Sequence, residues 1–272
     1  MPSPFAPRPA TPAPTATAQA RPCPLLSGLP ALNAVCLDID DTLIDFTASA
    51  RTALHGMIGR DDLWPRWQQL TDEFVRRVVA GDLDYQQMRC ARTKAFFADL
   101  GNHLADDEVD AMEQRRLSEM NRAWTLFEDA LPCLDWLRAA GLAIAAVTNA
   151  SGPHQHAKLA DTGLTRFFDA VLIAGECGVA KPDPGIFHAA CAQLGTTPAT
   201  TAHVGDRCDV DAHGARNAGL HGIWLDRSGA GVATARAEGL LAITGLDELP
   251  ELLVSEYRLG PAGGASPVPA PR

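Results

Sequence analysis

The chain has 272 residues, 46% of them apolar, and 33 acidic against 23 basic side chains give it a net charge of −10. That length holds one large domain or two modest ones, and the apolar share supports a sizeable core. The acidic balance argues against a nucleic-acid binder, which needs a basic surface, and against attraction to anionic membranes, but not against a site for small anions. No apolar run approaches the roughly 18 residues of a membrane span, and no basic stretch precedes an apolar core at the N-terminus. Seven cysteines, at positions 23, 36, 90, 133, 177, 191 and 208, are odd in number and lack CxxC spacing. They predict reduced, mostly buried thiols in a cytoplasmic protein.

Residues 1–30 are rich in Pro, Ala and Thr and predict a disordered tail, as do residues 256–272, because neither can bury enough surface to offset ordering entropy. A short apolar run, Ala34 to Leu37, predicts a buried parallel strand over about 33–39 that delivers Asp38 and Asp40 two residues apart, on one side of the strand. From Thr47 to Phe127 helical periodicity dominates. Trp67, Leu70, Phe74 and Val78 form one apolar stripe. Tyr85, Met88, Ala91, Ala95 and Leu100 form another, stopped by Gly101, and Asp106-Asp107-Glu108 opens a further helix. A crossover between parallel strands needs only about a dozen residues, so residues 45–128 read as an inserted helical module.

Alternation resumes after Asp129. A helix over 132–140 ends at Gly141, Leu142–Val147 is a strand running into Thr148-Asn149, and a helix over 154–162 ends at Gly163. Ala170–Ile173 is a third strand. Asp183 and Pro184 then set an N-cap and first helical position, and that helix stops at Gly195. Thr201–Val204 meets Gly205-Asp206, a helix from about 209 ends at Gly219, Gly222–Leu225 is a fifth strand, and a weak helix covers 246–254. Strands alternating with helices predict an α/β fold: a Rossmann-like, doubly wound parallel sheet built from 31–44 and 129–255, with an all-helical cap inserted over 45–128.

In such a sheet the carboxyl ends of the strands share one edge, where ligands bind. Asp38 and Asp40, Thr148 and Asn149, Lys181, and Asp206 with Asp209 and Asp211 all fall there. Several carboxylates make a hard oxygen site suited to Mg²⁺, and a hydroxyl, an amide and a lysine can hold an anion beside it. These are the parts of a phosphoryl-transfer site.

The four segments resemble, in order, the motifs of the haloacid dehalogenase-like hydrolase superfamily: Asp38-Ile-Asp40-Asp-Thr42, Val147-Thr148-Asn149, Gly178-Val-Ala-Lys181-Pro, and Gly205-Asp206 through Asp211. The resemblance covers residues 34 to about 226, and the helical insert directly after the first motif is similar to the family's first-type cap. It implies a Mg²⁺-dependent hydrolase of small phosphate monoesters, a nucleotide, a sugar phosphate or a phosphoglycolate-like acid. Asp38 would be the nucleophile forming an aspartyl phosphate, and Asp40 the acid and then the base. Thr148, Asn149 and Lys181 would bind the phosphate. Mg²⁺ would be held by Asp38, the Asp40 carbonyl and Asp206, with Asp211 orienting the site. The implied partner is a small phosphorylated metabolite, not nucleic acid or membrane. At Asp41 the family often has Gly.

A dehalogenase and a phosphomutase of the same superfamily are the competing readings, and a binding module without activity is a third. Asp40 speaks against the dehalogenase, because that branch lacks an acid at its position. Asp183 reads as a helix cap, and Asp209 ranks below Asp211. His154 and His156 read as a solvated loop rather than a metal pair. Arg89, Arg92, Trp64 and Trp67 of the cap read as packing or surface groups.

Overall fold

The computed structural model describes residues 28–150 and 152–260. After a two-residue strand β1 (Ala31–Leu32) comes β2 (Ala34–Leu37), and then four helices without an intervening strand: α1 (Phe46–Ile58), α2 (Trp64–Val79), α3 (Tyr85–Asp99) and α4 (Asp106–Arg122). Next come α5 (Ala130–Ala139), β3 (Ala143–Thr148), α6 (Gly152–Asp161), β4 (Ala170–Ile173), α7 (Ala174–Cys177) and α8 (Pro184–Leu194). The order continues with β5 (Thr201–Gly205), α9 (His213–Asn217), β6 (His221–Leu225), α10 (Val232–Ala237), β7 (Leu241–Ile243), α11 (Leu249–Glu256) and β8 (Arg258–Leu259).

Strands β2 to β7 form one sheet in the order β4-β3-β2-β5-β6-β7, every neighbouring pair parallel. The chain runs outward one way from β2 through β3 to β4, then returns to β5 on the other side of β2. A crevice therefore opens beyond β2 and β5, the place where such sheets bind ligands. Alternating residues of β2 serve two layers. Val35 and Leu37 pack with Leu134, Leu137 and Leu253 of α5 and α11. Ala34 and Cys36 pack with Ile186, Phe187 and Ala190 of α8 and with Ala215 of α9.

The helical insert is tied in at adjacent points. Ile44 bridges Leu126, Asp45 N–H donates to the Thr125 carbonyl at 2.9 Å, and Phe127 N–H donates to the Leu43 carbonyl at 3.0 Å. Within it, Leu54, Trp67, Leu70, Phe74, Met88 and Phe96 form a separate apolar core. The two predicted stripes supply most of that core, Ala91 and Ala95 lining it, while α1 adds a helix that the periodicity did not single out. Asp84 caps α3 through a reciprocal bond with Gln87.

Several expectations are corrected. The strand expected over 33–39 is confined to Ala34–Leu37, because the chain then leaves the ladder and turns at Asp41–Leu43. Arg258 and Leu259, assigned to a disordered tail, pair with Ala31 and Leu32, and Tyr257 beside them is buried. Of the other tail positions, 1–27 and 261–272 lie outside the described residues. β7 and α10 were not expected, being too short to show periodicity. The terminal helix begins at Leu249 rather than 246, after a tighter turn over Leu246–Glu248. Of the described cysteines, Cys36, Cys133 and Cys191 are buried, Cys90 and Cys208 partly so, and Cys177 exposed, and all six are free thiols.

Candidate active site

The site begins where β2 ends. Asp38 N–H continues the ladder to the Val204 carbonyl of β5 at 2.9 Å, and Ile39 is buried in the core. Asp38 and Asp40 are left at the sheet edge. Asp41 then takes a left-handed φ of 60°, the turn that reverses the chain toward the cap. A glycine adopts that conformation freely, and Asp is among the few other residues that tolerate it. Its carboxylate accepts the Thr47 N–H and hydroxyl, each at 2.8 Å, so the residue that departs from the family's Gly also ties down the start of α1.

Lys181, 4% exposed, reaches back from the loop between α7 and α8. Its ammonium lies 2.5 Å from Oδ1 of Asp38, 2.7 Å from Oδ1 of Asp211 and 2.7 Å from the Val147 carbonyl. Burial alone would lower its pKa, but Asp211 and Asp38 hold it above the usual lysine range. Asp211 is placed by a π-helical turn over Cys208–Ala212. Burial would raise its pKa, but Lys181 and His203 hold it well below the usual carboxylate range. Both its oxygens are engaged, Oδ1 by Lys181 and by Nε2 of His203 at 3.0 Å, Oδ2 by the Arg207 N–H at 3.0 Å. Gly205 makes room for this turn: a Cβ there would stand 2.3 Å from the Asp211 carboxyl carbon.

Asp206 follows on the neighbouring strand end. Burial pushes it up to about 8, and Asp38 and Asp211 add to the rise. Burial likewise raises Asp38, against the pull of Lys181, with Asp211 and Asp40 reinforcing it. The three carboxylates of Asp38, Asp206 and Asp211 each offer an oxygen within 4.8 Å of the others. One ammonium serves Asp38 and Asp211, and among the described residues no cation pairs with Asp206. Crowded oxygen donors short of positive charge fit a hard divalent cation.

The Asp40 side chain lies outside this cluster. Its Oδ1 is 2.5 Å from the Lys158 ammonium and its Oδ2 accepts Nε2 of Gln155 at 3.2 Å. The same Gln155 nitrogen donates to the Thr148 hydroxyl at 3.1 Å. Asn149 holds the Lys181 backbone through both ends of its side-chain amide, so that amide is committed to positioning the lysine.

Sequence reasoning missed Gln155, Lys158 and His203. The signal was present: Gln155 and Lys158 stand three apart on the helix that follows Thr148-Asn149, and His203 interrupts an apolar strand. Two further readings change. His154 and His156 sit on α6 rather than in a loop: His154 packs edge-on against Trp124 at 5.4 Å, and His156 pairs with Glu176 at 3.0 Å. Asp183 caps α8 through the Gly185 N–H, as expected, and Asp209 is exposed.

Over this edge stands the cap. Tyr85, first in α3, donates its hydroxyl to the Asn149 carbonyl at 2.5 Å. Deeper in the cap Arg92 and Arg116 share buried Glu113, which also takes the Thr93 hydroxyl, and the Arg92 guanidinium lies 4.0 Å over Trp67. Trp67 and Arg92 are thus core groups of the cap.

Comparison with known proteins gives concordant results. A family model described as haloacid dehalogenase-like hydrolase matches residues 32–219. Phosphoserine phosphatase of Thermus thermophilus is 42% identical over 39% of this chain, though the match spans only 43% of that relative. Glyceraldehyde 3-phosphate phosphatase of Methanopyrus kandleri is 29% identical over 72% of this chain and 84% of its own. N-acylneuraminate-9-phosphatase of Rattus norvegicus is 27% identical over 84% and 96%. Among solved structures, the HAD-hydrolase YfnB from Bacillus subtilis, bound to magnesium, superposes with a TM-score of 0.72 at 22% identity, covering 82% of this chain and 99% of that one. L-2-haloacid dehalogenase from Xanthobacter autotrophicus superposes at 0.65 and 24%, covering 81% and 98%. At these identities the structural likeness establishes the fold.

Proposed function

The chain belongs to the haloacid dehalogenase-like hydrolases, and on that premise we propose that it is a Mg²⁺-dependent phosphatase of small phosphate monoesters acting through an aspartyl phosphate on Asp38. The observation that carries this reading is the second carboxylate. Asp40 stands two residues from Asp38 at the same edge, linked through Gln155 to Thr148. Displacing an alkoxide from phosphorus needs a proton donor for the leaving oxygen, whereas displacing a halide does not.

In the first step an Asp38 oxygen attacks phosphorus, the bond to the ester oxygen breaks, and that oxygen takes a proton from Asp40. In the second, water attacks phosphorus, its proton goes to Asp40, and the bond to Asp38 breaks to release inorganic phosphate. Lys181 offsets the charge of Asp38 and the phosphoryl oxygens, and the Thr148 hydroxyl donates to one of them. Mg²⁺ fits the donor set of Asp38, Asp206 and the Asp40 carbonyl, with Asp211 fixing Lys181 beside them. There it would neutralise phosphoryl charge and orient the group for in-line attack. The helices of residues 45–128 act as a cap that excludes water and selects the alcohol. Free thiols throughout the described residues suit the cytoplasm. Among the described residues no helix is long and apolar enough to cross a membrane.

Phosphorylated nucleotides, sugars, hydroxy acids and amino acids are the substrates to test, since the relatives act on phosphoserine, glyceraldehyde 3-phosphate and N-acylneuraminate 9-phosphate. Phosphate release that needs Mg²⁺ and disappears in Asp38→Asn supports the reading. Metal-independent halide release from a haloacid would replace it with the dehalogenase, and transfer of phosphate between hydroxyls of one substrate with the phosphomutase.

A further inference from the structure

We propose that Gln155 and Lys158 are positioning residues that hold the Asp40 carboxylate in its proton-transfer pose and fix its place relative to Thr148. The inference rests on the phosphatase reading above and deepens it. The two residues stand three apart on α6, hence on one face. Each donates to a different oxygen of Asp40, Lys158 to Oδ1 at 2.5 Å and Gln155 to Oδ2 at 3.2 Å. Both are wholly buried, while the Asp40 side chain keeps 26% of its surface exposed. The carboxylate is therefore gripped from behind and open in front, with lone pairs left for a proton on the cleft side.

A lysine in this position is a costly choice for packing. Taking an ammonium out of water is unfavourable unless it is paired, and among the described residues Asp40 is the only carboxylate that Lys158 pairs with. Two aromatic rings also flank the ammonium, that of Phe46 at 5.0 Å and that of Trp124 at 5.6 Å. Phe46 begins α1 and Trp124 follows α4, so the walls around the ammonium come from the two segments that join cap to core. The pose of Asp40 is thereby coupled to the seating of the cap.

Gln155 adds a second constraint. Its Nε2 bridges Asp40 Oδ2 and the Thr148 hydroxyl, so one amide sets the spacing between the proton-transfer group and a phosphate-binding group. The amide is oriented with its nitrogen toward both oxygens, Asp40 Oδ2 at 3.2 Å and the Thr148 hydroxyl at 3.1 Å. Its Oε1 is buried and without a partner in the structure.

The test separates a positioning role from a structural one by the leaving group. A nitrophenolate departs without a proton, an alkoxide does not. Rapid-quench rates of enzyme phosphorylation are measured for the wild type, Lys158→Met and Gln155→Ala, with p-nitrophenyl phosphate and with glycerol 3-phosphate, alongside thermal melting. Both variants are expected to lose about 100-fold or more in the phosphorylation rate with the alkyl ester. They are expected to retain a nitrophenolate burst within about threefold of the wild type, followed by slowed turnover, because Asp40 also serves the second step. Equal losses with both esters, or no loss with either, would overturn the inference. Absence of phosphoryl transfer in the wild type itself, from both esters and from the substrate panel, would instead overturn the phosphatase reading on which it stands.

Discussion

The side-chain amide of Asn149 holds the backbone of Lys181 at both ends, accepting its N–H at 2.7 Å and donating to its carbonyl at 2.8 Å. The residue after Thr148 thus sets the lysine that bridges Asp38 and Asp211. Tyr85 of the cap bonds the carbonyl of the same Asn149. One asparagine therefore connects the cap, β3 and the loop that carries the charge.

Asn149→Ala removes both bonds. We expect about 1–3 kcal/mol lower stability by denaturant unfolding and a fall in kcat of about 10-fold to 100-fold from a displaced lysine. A variant with full kcat would show that Lys181 is held well enough by Asp38, Asp211 and the Val147 carbonyl alone.

The crowding of Asp38, Asp206 and Asp211 predicts stabilisation by Mg²⁺. At about 100 times its Kd a single bound ion adds about 2.7 kcal/mol, visible as a rise in Tm that a chelator reverses. In Asp206→Asn this response should be largely lost. An unchanged Mg²⁺ response there would place the ion elsewhere.

The cap contains a buried charge cluster whose balance is set by Glu113. Its removal in Glu113→Ala leaves Arg92 and Arg116 without a counter-charge and should cost about 3–5 kcal/mol. Burial would raise the pKa of Glu113, but Arg116, Arg92 and Thr93 outweigh it and hold the group below its ordinary value. Because the folded pKa is depressed, the stability it contributes is present above the unfolded glutamate pKa and is lost as pH falls through the folded one. Melting of wild type and Glu113→Gln across pH 3–7 should therefore show a gap that narrows toward the acid end.

Much of this was readable in the residues, and the remainder was hidden for definite reasons. The strand ends at Asp38, Thr148 and Asp206 follow from apolar runs broken by polar residues, and the cap follows from a helical stretch too long for a crossover. The β1–β8 pair was missed because two-residue strands carry no periodicity and its partners lie at opposite ends of the described chain. Asn149 was assigned to the phosphate because an amide beside Thr148 suits either use. Only the tertiary position of Lys181 decides which the amide serves. Gln155 and Lys158 were passed over because a lysine on an amphipathic helix ordinarily faces water.

The left-handed turn at Asp41 separates two substitutions. Asp41→Gly relaxes the backbone while losing the bonds to Thr47, and Asp41→Ala loses the bonds and keeps the strain. Alanine should be the less stable of the two by about 1 kcal/mol. Equal Tm values would mean that the left-handed backbone at this position costs nothing measurable.

The central claim is that Asp38 is the nucleophile toward phosphorus. It is tested most directly by acid-quenching the enzyme during turnover of its best ³²P-labelled ester and mapping the label. The account predicts label on the peptide carrying Asp38, which hydroxylamine releases as inorganic phosphate with a hydroxamate left on the aspartyl group, and no label in Asp38→Asn. Phosphate released at full rate with no label on the protein, or label retained in Asp38→Asn, would contradict it.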